Sequence, residues 1–378
     1  MISKALIAVV RCPDCGGALS AAAKPAAAYE GTEAAAAYME TGADYEGLRC
    51  SSCGRMFETA DGVADLRPKD AFTEQTKYLD EALHQDARHE AIAPPLLGSK
   101  IRHDMLRRFL QPGPGDRALD LGCGSGRTLS WTAGSGAALT GADIAPYFAP
   151  EARDRFDLVL ADLRRLPFRE RVFNKAWSLD VLEHLSRPAL MGMLAEANRV
   201  LADDGALFVY SHVRTNGWPA VGVRAANGLA HLFERVGLID LKQERLRKSD
   251  HVNPLRDHDD LAEVVKRCGF RVERVTYYTP VMGALIENVL VRMAERFLVR
   301  RAQSGGGASP ADAARQARTA AQARVRRRGV TYAILRALSA LMRVDVWLFG
   351  RIPSGPFFAL LRKIGPPAPD AGATKEQP

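Results

Sequence analysis

The chain has 378 residues, 47% of them hydrophobic and 25% charged, with a net charge of +8. That is enough to bury one large core beside an accessory piece, in the proportions of an ordinary soluble globular protein. The surplus charge is local: residues 292–328 hold ten arginines against Glu295 and Asp312, which excludes a basic character for the body of the chain.

Residues 1–68 read as a small module of their own. Cys12-Pro-Asp-Cys15-Gly and Cys50-Ser-Ser-Cys53-Gly are two alike C-x-x-C knuckles. The glycine after each pair lets backbone N–H groups turn towards the sulfurs. Four thiolates so arranged suit a closed, tetrahedral, structural Zn²⁺ site rather than disulfides. A redox dithiol is the other reading, and the matched glycines argue against it. The alanine-rich residues 20–46 are expected to form an inserted loop or short helix, and the residues after Cys53 the closing strands of a ribbon. Cys123 and Cys268 are isolated, and this cysteine usage fits a reducing cytosol. The opening apolar run is too short for a secretory leader, and no stretch of 18 apolar residues is free of charge, which predicts no membrane span.

Residues 70–111 are helical in pattern, with a cap at Thr73. Residues 100–110 are amphipathic, placing Ile101, Met105, Leu106 and Phe109 on one face, and the Pro/Gly-rich run after them ends the helix. His84, His89 and His103 are expected on solvated faces.

The stretch ALDLGCGSG, residues 118–126, organises the middle of the chain. An apolar run ends in Asp120, and glycines fall at 122, 124 and 126. This reads as a buried strand, a tight turn and a helix start whose free N–H groups face a polar ligand. The spacing is neither the dinucleotide G-x-G-x-x-G nor a phosphate loop with its lysine. A second strand, 138–144, ends at Asp143, where a carboxylate can accept both hydroxyls of a ribose. A third leads to Asp162. A fourth ends at Asp180 in the phrase S-x-D-V-L-E-H-L. A helix, a turn at Asp204-Gly205 and a fifth strand come next, and the run from 116 to 213 predicts parallel βαβ units.

The D-x-G-x-G-x-G turn and the acids after it resemble the class I S-adenosylmethionine methyltransferases, over about a hundred residues. The resemblance implies an α/β, Rossmann-like sheet of seven strands, with an N-terminal zinc ribbon and a helical insertion before the last strand. It implies a cofactor held by Asp120, Gly122, Cys123, Gly124, Gly126, Asp143, Ile144, Asp162, Leu163 and Asp180, with Asp162 and Leu163 at the adenine and the glycine turn beneath the methionine end. The N-terminal segment resembles the zinc ribbons of some rRNA guanine methyltransferases and of small methyltransferase-activating subunits.

Beyond the fifth strand, residues 214–257 form an insertion carrying Trp218, Asp250, His251 and Asn253, with His258 just after it; these polar groups read as a solvated loop, or as groups that hold a substrate or take a proton, since in the resembling family such an insertion often builds the acceptor pocket. A helix ending at Gly269 and a sixth strand come after it. Residues 281–350 form a second, mostly helical insertion, with a glycine-rich break, a basic helix and an apolar helix studded with arginines. Such helices lie at a membrane interface, contact nucleic acid, or pack on each other. Residues 357–364 read as the seventh strand, returning antiparallel at the sheet edge, and 365–378 as a disordered tail.

The function implied is methyl transfer from S-adenosylmethionine to a small or lipid- or polysaccharide-linked metabolite, in the cytosol or on the inner membrane face, with His184 as the candidate base. No N/D-P-P-Y/F tetrad follows the fourth strand, against adenine amino methylation, and no Pro-Cys, against cytosine C5. The alternatives are an rRNA or tRNA methyltransferase and a non-catalytic activator that binds the cofactor.

Overall fold

A computed structural model describes residues 2–23, 45–70, 92–241, 245, 251–303, 329–369 and 371. Most of the alanine-rich insertion, Thr73, His84, His89, Asp250, the glycine-rich break, the basic run to 328 and most of the tail lie outside the described residues.

Chain order begins with α1 (Lys4–Val9), β1 (Leu19–Ala23), β2 (Tyr45–Cys50), β3 (Met56–Ala60) and β4 (Val63–Asp65). Next come α2 (Leu97–Leu110), β5 (Arg117–Leu121), α3 (Arg127–Thr132), β6 (Ala138–Asp143), α4 (Pro150–Arg153), β7 (Asp157–Leu160) and β8 (Phe173–Leu179). The rest are α5 (Arg187–Val200), β9 (Leu201–His212), α6 (Ala220–Arg235), α7 (His258–Arg267), β10 (Phe270–Tyr277), α8 (281–303), α9 (Val330–Phe349) and β11 (Pro356–Lys363). A π-helical turn over Leu285–Val291 interrupts α8.

The short apolar runs at β5 to β8 bury both faces, which suits inner parallel strands. Their order, with β9 to β11, is β7-β6-β5-β8-β9-β11-β10. Taking β5 as the first predicted strand and β11 as the seventh, that is 3-2-1-4-5-7-6. The seventh strand is not at the edge: β11 lies between β9 and β10, antiparallel to both.

The expected count of seven is corrected to eleven among the described residues. β4 pairs in parallel with β7, Val63 to Asp65 opposite Leu158 to Leu160, and carries β3, β2 and β1 beyond it. The physical reason is the exposed edge of β7, whose backbone groups need partners. The side chains agree: Leu6, Leu48 and Phe57 share one core with Leu119, Phe168 and Leu207.

Helices cover both faces. α1, α5 and α7 lie on one side through Leu6, Met193 and Val264. α2, α3, α8 and α9 lie on the other through Leu106, Leu129, Ile286 and Met342. Ile101, Met105, Leu106 and Phe109 are buried as their spacing predicts. His103 is corrected: it is buried, 5% exposed, because α3 covers that flank of α2, with Thr132 Oγ1 3.3 Å from Nε2 and the Trp131 ring edge-on. The turn expected at Asp204-Gly205 is a bulge inside β9, where Leu201 and Ala206 face Phe173 and Lys175. The first residues of the tail pack: Ala368 N–H donates to the Arg267 carbonyl and Ala371 is 3% exposed.

Candidate active site

β5, β6, β7, β8 and β9 all end at the same rim of the sheet, and the predicted acids arrive there together. The glycine turn after β5 has three jobs for three glycines. Gly122 (φ 79°) has no room for a side chain: a Cβ would sit 2.5 Å from Cγ2 of Val181. Gly126 (φ 81°) begins α3 against Ala152. At Gly124 (φ 53°) a Cβ would meet no protein atom within 4 Å, so that position opens outward. A glycine kept beside open space fits a ligand that approaches the backbone closely.

Asp120 is 2% exposed and its Oδ2 is buried with no hydrogen-bond partner. Burial pushes its carboxyl up to about 8; the Trp177 indole beside it opposes this and the nearby Asp143 adds to it. An orphaned buried carboxyl oxygen is costly unless a partner arrives. Asp143 closes β6 and accepts the N–H of Gly124 at 2.7 Å and of Ala145 at 2.9 Å, so it ties the second strand to the glycine turn. Burial raises its carboxyl, and those N–H groups pull it back. Cys123 is buried and its thiol is raised well above the usual range by burial. Ile144 and Leu163 are half-buried at the ends of β6 and β7. Asp162 is buried, but its carboxylate is engaged by Arg164, whose Nε and Nη2 lie 2.8 to 3.1 Å from its oxygens. Asp180 adopts a left-handed conformation (φ 57°) and faces Arg102 Nε at 3.4 Å.

Past β8 the phrase V-L-E-H-L bends back over the mouth. Glu183 is 1% exposed; it accepts from Ser211 Oγ at 2.8 Å and faces His212 Nδ1 at 3.4 Å. Burial raises its carboxyl, but His212 and Ser211 outweigh burial and hold it below the usual range. The loop after residue 250 docks onto the same residue: Val252 and Asn253 donate N–H to the Glu183 carbonyl. That docking sets His251 edge-on to His184, ring centroids 4.7 Å apart. Ligand atoms of Glu183, His184 and His251 lie within 4.8 Å of one another, close enough to ligate one divalent cation. His258, by contrast, is turned away to the Ser354 carbonyl.

Three residues of this mouth carry no sequence motif. Arg102 comes from α2 and stacks over Tyr210, 5.4 Å from the ring centroid. Burial would lower its pKa, but Asp180 first, then Tyr210 and Glu287, override this and fix the charge. Tyr210 and His212 stand two apart at the end of β9, on one side of the strand. A polar cluster at the carboxyl end of a strand was the available signal.

At the far edge, the two knuckles repeat the same turn: Gly16 N–H bonds to Cys12 O and Gly54 N–H to Cys50 O. Cys12 and Cys53 sulfurs are 3.8 Å apart, Cys15 and Cys50 3.4 Å, and all four lie within 4.8 Å. Tetrahedral Zn–S bonds of about 2.3 Å imply sulfurs about 3.8 Å apart, so the donor set fits.

A methyltransferase-domain family profile matches residues 119–209, the span from β5 to β9. A demethylmenaquinone methyltransferase of Tropheryma whipplei is 30% identical over 164 residues, 42% of this chain and 67% of that one. The chain belongs to the class I S-adenosylmethionine-dependent methyltransferase family. A sterol 4-C-methyltransferase of Caenorhabditis elegans is 28% identical to this methyltransferase over 165 residues, 40% of this chain and 49% of that one. This chain thus spans about half the length of the sterol enzymes it matches. Among solved structures, Haemonchus contortus phosphoethanolamine N-methyltransferase 2 aligns at 17% identity and a TM-score of 0.44, over 79% of this chain and 61% of that one. Among the described residues no helix is long and apolar enough to cross a membrane.

Proposed function

We propose that this methyltransferase moves the methyl of S-adenosylmethionine onto a small or lipid-linked acceptor seated over the ends of β8 and β9. The observation that carries this is the pairing of two incomplete halves at one rim: an orphaned carboxyl oxygen beside an open glycine, and a buried glutamate 3.4 Å from a histidine. The cofactor, when bound, supplies a methyl made electrophilic by its sulfonium sulfur.

The chain supplies placement and a proton acceptor. Asp120 offers the cofactor's ammonium group a carboxylate oxygen that has no other partner. Gly124 lets the methionine end approach the backbone, and Asp143 presents carboxylate lone pairs to the ribose hydroxyls. Asp162, held by Arg164, shapes the adenine side together with Leu163. Holding reactants aligned is the main source of rate in such a displacement. Glu183 sets a carboxylate 3.4 Å from Nδ1 of His212, which favours a charged ring and assigns Nε2 to take a proton from the acceptor. His184 and His251 complete the polar wall, so the role expected of His184 alone is shared. Zn²⁺ on Cys12, Cys15, Cys50 and Cys53 would fasten the N-terminal strands.

The test is transfer of labelled methyl from S-adenosylmethionine into cell extract separated into lipid, small-molecule and RNA fractions. Label in the lipid or small-molecule fraction, lost with His212→Ala, supports the reading. Label in RNA would move the assignment to an rRNA or tRNA enzyme, and cofactor binding without label in any fraction to an activator.

A further inference from the structure

Apart from Met56, Val252 and Ile364, every large apolar side chain left exposed among the described residues lies on α6, α8, α9 or the residues flanking them. α9 is the clearest case. Val330, Ile334, Ala337, Leu341 and Leu348 follow one another at spacings of three, four or seven, and all are exposed, with Trp347 beside them 82% exposed. Its opposite side, turned to the protein, packs through Met342 and also buries two polar groups. Ser339 is 1% exposed and accepts the Leu97 N–H at 2.7 Å. Asp345 is 0% exposed and accepts the Met282 and Gly283 N–H groups, both at 2.9 Å, capping the start of α8. A helix bordering water shows the reverse pattern. Here Ser339, Asp345 and Met342 hold the helix in place, and a second apolar stripe faces out.

α6 repeats the pattern with Val221, Ala225, Gly228 and Leu232 exposed at spacings of three and four, preceded by Trp218, 71% exposed. α8 adds Leu290, Met293 and Phe297. The helices form one layer: Asn288 bonds Asn227, Asp345 caps α8, and the Trp218 ring stands edge-on to Phe349. The exposed charge on these helices is mainly positive. Arg224, Arg235, Arg336 and Arg351 are exposed. The acids of the three helices are committed elsewhere: Glu234 to Arg245, Glu287 to the Gly98 N–H, Glu295 to Arg292, and Asp345 as above.

We infer that α6, α8 and α9 form a surface that docks on an anionic lipid bilayer, lying in its interface without crossing it. Apolar side chains and tryptophans enter the acyl boundary while arginines meet the headgroup phosphates. A symmetric contact with a second copy is disfavoured, because it would set one arginine rim against another. The placement also serves the reaction, a point that rests on the reading of the site above. Trp218 follows His212 by six residues, and α8 begins three residues after Tyr278, so docking holds the mouth at the bilayer. A lipid-like acceptor then enters without crossing water.

The test uses the full chain and vesicles of phosphatidylcholine alone or with phosphatidylglycerol, read by flotation. Wild type is expected to float with the anionic vesicles at least tenfold more strongly than with the neutral ones. Trp218→Ser/Trp347→Ser and Ile334→Glu/Leu341→Glu replace only exposed side chains, and each pair is expected to lose at least tenfold while keeping its circular dichroism and cofactor affinity. Equal flotation of wild type and both variants overturns the inference. So does a dimer, seen by light scattering, that the same substitutions dissociate while flotation stays absent. Loss of flotation with methyl transfer into water-soluble acceptors intact would support docking as a property separate from the site.

Discussion

The carboxylate of Glu183 and the imidazole of His212 meet at 3.4 Å across the mouth of the sheet, from the ends of two neighbouring strands. The glutamate is almost wholly enclosed, so its charge acts on the ring rather than on solvent. With the carboxylate beside Nδ1, Nε2 is the nitrogen left for chemistry, on a histidine whose ring centroid lies 5.9 Å from that of His251. If this pair carries the proton, His212→Ala should lower kcat by about 10²- to 10⁴-fold, with Glu183→Gln falling between it and wild type. Cofactor affinity should change less than about threefold in both, since neither residue belongs to the placement side of the site. Steady-state kinetics with calorimetry on the same samples checks the split.

The glycines at 122 and 124 should fail in different ways. Gly122→Ala drives a methyl into Val181 and imposes a left-handed alanine, and should cost about 1–3 kcal/mol of stability. Gly124→Ala meets no protein atom, so its cost is the backbone strain alone, about 1 kcal/mol. Its cofactor affinity should fall at least tenfold, because the methyl occupies the open cradle. Urea unfolding with and without S-adenosylhomocysteine measures both effects.

Asp120 gives a pH signature. Its folded carboxyl lies at about 8, above an unfolded value of about 3.9. The folded state therefore binds the extra proton between those values, so this group's contribution to stability is full below the unfolded pKa and is lost as pH rises through the folded one. Asp120→Asn should melt higher than wild type at about pH 8.5, the gain shrinking to nothing by about pH 4. It should also lose most cofactor-induced stabilisation.

His103 works the other way. Burial lowers it to about 4, so the neutral ring's contribution is present above about 6.5 and is lost as pH falls towards the folded value. His103→Gln should flatten that acid limb of the melting curve.

Metal removal should reach beyond the knuckles. β4 is zipped to β7, and Phe57 and Leu48 share the central core. Chelation, or Cys50→Ser, should therefore lower the melting temperature of the whole protein instead of releasing a separately melting fragment. Calorimetric scans before and after chelation distinguish one transition from two.

The central strands were legible in the sequence because apolar runs of that length, each closed by an acid or a glycine, have few other uses. Asp120 and Asp143 were legible for the same reason. Arg102 and His212 were hidden, because nothing local links residues on α2, β8 and β9 that meet only when the sheet is assembled. The junction of β4 with β7 was hidden too, since a three-residue strand has no pattern of its own. The apolar spacing of α9 reads alike whether it faces in or out; only Ser339 and Asp345, placed on the inner side, settle the direction. His103 shared a helix with charged neighbours, and the cover from α3 lay outside its own stretch.

The central claim is that the cofactor sits on the glycine turn with its ammonium against Asp120. Isothermal titration of S-adenosylhomocysteine into wild type and Asp120→Asn tests it most directly. The account predicts saturable one-to-one binding to wild type and at least tenfold weaker binding to the folded variant. Equal affinity for the two proteins, or no heat from well-folded wild type, would contradict it.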